Sequence, residues 1–78
     1  MIKIYELTER EQEVFDLIVN NVKGEELKDL AKKLHITRST FITHLNSIYF
    51  KKNAHSQIEL IIGYYKEKLE NATKNNNS

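Results

Sequence analysis

Apolar residues along this chain recur at intervals of three and four, the spacing of one helix face, and nowhere alternate as a half-buried strand would. Thr8 followed by Glu11 has the spacing of a capping box, which places the start of a first helix. Val14, Leu17, Ile18 and Val22 make its apolar face with Phe15 at the edge, and Gly24 is expected to end it. Leu27, Leu30, Ala31 and Leu34 give the stripe of a short second helix, with Glu25 and Glu26 near its positive end. His35, Ile36 and Thr37 then supply a break, an apolar anchor and an oxygen-bearing cap, so two helices are predicted to meet across a tight turn. In the third helix Phe41, Leu45 and Ile48 fall within about 60° of one another, while Ser39, Ile42, Thr43 and Asn46 take the opposite side. Asn53 suits the left-handed conformation at its end.

Ser56 and Glu59 predict a second capping box and a fourth helix with two apolar sides. Ile58, Ile61, Ile62, Tyr65 and Leu69 form one, and Leu60, Gly63 and Tyr64 line the other. Residues 71–78, rich in asparagine, are too polar to offset the entropy of ordering and are expected to form a disordered tail. The expectation is an all-α chain: an extension over 1–6, one four-helix domain over 7–70, and the tail.

Charge sharpens this picture through its distribution, because the overall formal charge is only +1. Residues 1–29 carry four bases against eight acids, whereas Leu30 to Ile58 hold Lys32, Lys33, Arg38, Lys51, Lys52 and three histidines without one acid. A basic block over the turn and third helix is what phosphate binding requires, although a solvated face reads the same way in composition alone. His35, His44 and His55 lie nine and eleven residues apart, which is not the i, i+4 spacing of helical metal ligands, so no metal site or cofactor is expected. No activated nucleophile or pocket-forming pattern points to an enzyme. No apolar run approaches the ~20 residues of a membrane helix, and with no signal segment the expected location is the cytoplasm. A chain of 78 residues without cysteine has a thin core and no staple, which favours self-association.

Several separated blocks, in order, resemble the LuxR/GerE family of bacterial transcription regulators. Leu7-Thr8-Glu9-Arg10-Glu11-Gln12-Glu13-Val14 is similar to the family's opening L-T-x-R-E-x-E-V, and Leu30-Ala31-Lys32-Lys33-Leu34-His35-Ile36-Thr37 to its I-A-x-x-L-x-I-S. Thr40 to Tyr49 resembles T-V-x-x-H-L-x-x-I-Y, and Ser56-Gln57-Ile58-Glu59-Leu60 resembles S-R-x-E-L. The likeness spans residues 7–60 and implies a four-helix LuxR-type helix-turn-helix domain, with the third helix, about Arg38 to Phe50, in the DNA major groove and the fourth mediating a homodimer. By the same resemblance Ile42, Thr43 and Asn46 face base edges with Ser39 beside them, while Thr40, His44 and Lys51 match backbone-contacting positions. Arg38 is added from its charge. Leu60, Ile61, Gly63 and Tyr64 are expected at the dimer seam, where Gly63 would let two helices approach.

The chain departs from the family pattern at four places. Ile42 stands where lysine is frequent, so that side chain could touch thymine methyls or dock on protein. The stretch Val22 to Asp29 is about three residues longer than usual, and His35 replaces a frequent turn glycine, a position histidine tolerates at positive φ. Lys52 falls where the third stripe predicts an apolar residue, while Phe50 points outward. Either the helix ends near Phe50 and the chain rotates the ring inward, or Phe50 is an exposed anchor. His44 reads as a phosphate neighbour or as a packing histidine. The function expected is a stand-alone, GerE-like, DNA-binding transcription regulator acting as a homodimer, from a low-GC bacterium or phage by its lysine, isoleucine and asparagine usage. The alternative is an interaction module of the same fold that grips RNA polymerase or another regulator.

Overall fold

The computed structural model describes the backbone of residues 6–76 and side chains through Asn71. Four helices follow one another: α1 (Glu9–Val19), α2 (Leu27–Lys33), α3 (Arg38–Lys52) and α4 (Gln57–Asn76), with no strand among the described residues. The capping box forms as expected. The Glu11 amide donates to Thr8 Oγ1 at 3.1 Å and the Thr8 amide donates to Glu11 Oε1 at 2.9 Å.

Helix α1 ends at Val19, short of Gly24. Asn20 turns its side-chain amide back to the Asp16 carbonyl at 2.9 Å, and Asn21 exchanges two bonds with the Glu25 backbone, at 2.9 and 3.0 Å. Side-chain bonds of this kind compete with the helix ladder, and two consecutive asparagines stop it here. Val22 therefore leaves the stripe and is 88% exposed, while Gly24 serves the loop at φ +70°. Its place in the core is taken by Phe15 and Val19, so Phe15 is inside rather than at the edge.

Both later turns use a left-handed residue. His35 has φ 59°, its amide donates to Lys32 O at 3.0 Å, and the Ile36 amide reaches Ala31 O at 3.2 Å. Asn53, at φ 55°, repeats the arrangement, with Asn53 donating to Phe50 O and Ala54 to Tyr49 O. Each pair satisfies carbonyls that a helix end would leave orphaned, and histidine and asparagine are the non-glycine types that tolerate this backbone. The loss of a turn glycine at residue 35 is thus absorbed.

The core joins Val14, Phe15, Ile18 and Val19 of α1, Leu30 and Ala31 of α2, Phe41, Leu45 and Ile48 of α3, and Leu60 of α4. Helix α3 packs on both α1 and α2, and α4 packs across α1. The phase slip near residue 50 resolves against an inward ring. Helix α3 continues to Lys52 and leaves Phe50 73% exposed. Lys52, at the core-side angle of the helix, stays exposed, and its ammonium lies 5.2 Å from the Phe15 ring centroid, a cation–π geometry.

The second capping box forms by half. The Glu59 amide donates to Ser56 Oγ at 3.2 Å, but the Glu59 carboxylate takes the His55 amide at 3.0 Å instead of that of Ser56. Helix α4 runs to Asn76, past the expected boundary at residue 70, and neither proline nor glycine interrupts the ladder over that stretch. Residues 1–5, which belong to the expected extension, and residues 77 and 78 lie outside the described residues. No described helix is long and apolar enough to cross a membrane.

Candidate nucleic-acid interface

Helix α2, the His35 turn and α3 form a helix-turn-helix whose rotation is set from inside. Phe41, Leu45 and Ile48 are buried, so the opposite side of α3 must face solvent. Thr37 caps α3: its hydroxyl oxygen accepts the Thr40 amide at 3.1 Å and its proton goes to Thr40 Oγ1 at 3.0 Å. That leaves the Thr40 hydroxyl proton available at the exposed first turn, beside Arg38 and Ser39. Among the described residues no carboxylate lies within ion-pair distance of Arg38. Its side chain borders a shallow hollow with Gly24 to Lys28 and Gln57, where the lengthened α1–α2 loop, the start of α3 and the start of α4 meet.

The outward row of α3 begins with Ser39, Thr43 and Asn46, all exposed. The Thr43 hydroxyl donates to the Ser39 carbonyl at 3.1 Å, which spends its proton within the helix and leaves the oxygen as an acceptor and the methyl as an apolar tip. Asn46 presents both an acceptor and a donor. Ile42 and His44 flank the row and are half-buried. Ile42 is therefore a shoulder of the face rather than its centre.

Lys51 lies elsewhere. Its ammonium sits 2.7 Å from Glu11 Oε1 and 3.3 Å from the Glu6 carbonyl, and its side chain is mostly covered. Ser47 donates to the other Glu11 oxygen at 2.6 Å. The cation that sequence reasoning placed on the phosphate rail is spent inside the molecule, joining α1 to α3. Glu11, 6% exposed, has its carboxyl lowered to about 2 from the usual 4.5. The bond from Lys51 contributes most, then Ser47 and the Thr8 amide, against an opposing push from burial. Nothing local in the sequence announces this cluster, because its members are 36 and 40 residues from Glu11.

The residues expected at a dimer seam do not share one exposed side. Leu60 is 3% exposed and belongs to the chain's own core, Ile61 packs against that core, and Tyr64 meets the Phe15 ring edge-on at 5.6 Å. Gly63 opens onto a hollow between α1, the end of α3 and α4, where an added Cβ would meet nothing within 4 Å. The large apolar residues that α4 leaves exposed are Ile58, Ile62, Tyr65 and Leu69, the first stripe of the sequence pattern without Ile61. A helix of this small domain has only one side to give its own core, and the hydropathy pattern does not say which.

A family model described as bacterial regulatory proteins, luxR family (GerE), matches residues 5–63. No curated protein and no solved structure matches significantly.

Proposed function

The chain belongs to the luxR family of bacterial regulatory proteins, a DNA-binding helix-turn-helix family, and from that premise we propose a sequence-specific transcription regulator that works as a homodimer with α3 in the major groove. The observation that carries this reading is the outer side of α3. Ser39, Thr43 and Asn46 form an uncovered row of small polar groups, in a stretch from Leu30 to Ile58 that holds no acid. Small side chains allow a helix to approach base edges closely, and Asn46 can pair with adenine while the Thr43 oxygen accepts from an exocyclic amine. Arg38, Ser39 and Thr40 at the start of α3, with half-buried His44 beside the row, would hold phosphates and set the register. Lys51 has no part in this scheme.

Salt dependence tests it. If each protomer neutralises about three phosphates, log affinity for duplex DNA should fall against log salt with a slope of about −5 for a dimer. A flat response, or no duplex binding at low salt, would reject the reading in favour of a protein-docking module of the same fold.

The dimer is assigned to the exposed stripe of α4. Ile58, Ile62, Tyr65 and Leu69 are spaced four, three and four residues apart, the repeat with which two helices bury a shared seam. Two such helices paired about a two-fold axis would set half-sites about one turn of DNA apart. The double variant Ile62→Glu, Leu69→Glu is expected to halve the mass seen by light scattering at micromolar concentration while preserving the helical circular-dichroism signal. A folded variant that kept the dimer mass would place the seam elsewhere.

A further inference from the structure

The outer row of α3 does not stop at Asn46. Ser39, Thr43, Asn46 and Phe50 recur at intervals of four, three and four residues, which at ~100° per residue puts all four within about 60° of one another. Phe50 is 73% exposed and is the one large apolar group in the row. Its outward aim follows from the helix phase that the buried Phe41, Leu45 and Ile48 fix on the other side of α3. We infer that Phe50 is a specificity residue, reading a thymine through its 5-methyl group at the outer end of the surface on which Asn46 reads a base. This rests on the placement of α3 proposed above.

The physical argument is one of matching. A phenyl ring offers no hydrogen-bond donor, so beside a phosphate it would strip water from an anion and return nothing. The apolar feature of a major groove is the thymine methyl, and phenylalanine is among the side chains that can contact it. Asn46 and Phe50 are separated by about 6 Å along the helix axis. The ring therefore addresses a base pair further toward the C-terminal end of α3 than the one Asn46 addresses.

The test uses the full chain and a duplex selected by it from a random library. The wild-type protein should enrich thymine at a position neighbouring the one whose preference Asn46→Ala changes. Replacing that thymine by deoxyuridine removes only the methyl and should weaken wild-type binding about four-fold, the ratio that corresponds to ~0.8 kcal/mol for one buried methylene. Phe50→Ala should bind thymine and deoxyuridine duplexes equally, and Phe50→Leu should retain part of the difference. Equal wild-type affinity for the two duplexes, or an undiminished difference in Phe50→Ala, overturns the role of Phe50 while leaving salt-dependent DNA binding in place. Absence of any wild-type duplex binding overturns the DNA reading and this inference with it.

Discussion

Leu60→Glu should unfold the domain at room temperature instead of dissociating a dimer. Leu60 is 3% exposed and is the α4 residue fully inside the described core, where it is the pin that fixes the fourth helix. Removing a buried leucine side chain costs about 2–5 kcal/mol, and a carboxylate in its place adds the cost of an unpaired charge among apolar groups. A domain of this length has roughly 4–12 kcal/mol in total, at about 0.05–0.15 kcal/mol per residue. The substitution thus removes most or all of the margin. Chemical denaturation and circular dichroism measure it directly. A variant that melted within ~5 °C of wild type and merely halved its mass would return Leu60 to the seam. The contrast with Ile62→Glu, Leu69→Glu is the informative part, because the two variants put the same chemistry on opposite sides of one helix.

Glu11→Ala is expected to cost about 2–4 kcal/mol, the largest effect of any polar substitution in the described chain. Three groups lose their acceptor at once: the Thr8 amide at the start of α1, the Ser47 hydroxyl and the Lys51 ammonium. Lys51 is the costly one, since its side chain is 21% exposed and would be left a cation without its anion. Glu11 also gives the domain an acid dependence of defined sign. Its folded-state value of about 2 lies below the ordinary 4.5, so the stabilisation is complete above pH 4.5 and is lost as the pH falls toward 2. Thermal melts of wild type and Glu11→Gln across that window isolate the contribution. The gap between the two proteins should be widest near neutrality and close as Glu11 protonates. A gap that stayed constant through pH 2 would mean that the charge of Glu11 contributes nothing.

Much of this molecule was legible from local spacing. The Thr8–Glu11 box, the Thr37 cap, the left-handed Asn53 and the Phe41, Leu45, Ile48 stripe each involve residues within one or two turns of each other, and each formed as expected. The outward row around Thr43 followed from the same periodicity. Where the structure departs from that spacing the causes are of two kinds. Val22 leaves the stripe because the neighbouring Asn20 and Asn21 stop the helix, whereas the surroundings of Leu60 and Lys51 are made by residues distant in the chain. Lys51 is the clearest instance: beside other bases in the sequence it looks like a phosphate ligand, yet in space its nearest neighbour is the carboxylate of the first helix.

The amino-acid pattern by itself determined the number of helices, the left-handed turns at His35 and Asn53, the family, and which side of the third helix would be polar, since short-range hydrogen bonding and periodicity are written in neighbouring residues. Only the tertiary structure decided which side of α4 joins the core, that Phe50 extends the outer row, and that Lys51 closes an internal ion pair. Those outcomes depend on which surfaces meet once four helices share one small core, and periodicity assigns residues to a side without saying what that side will touch.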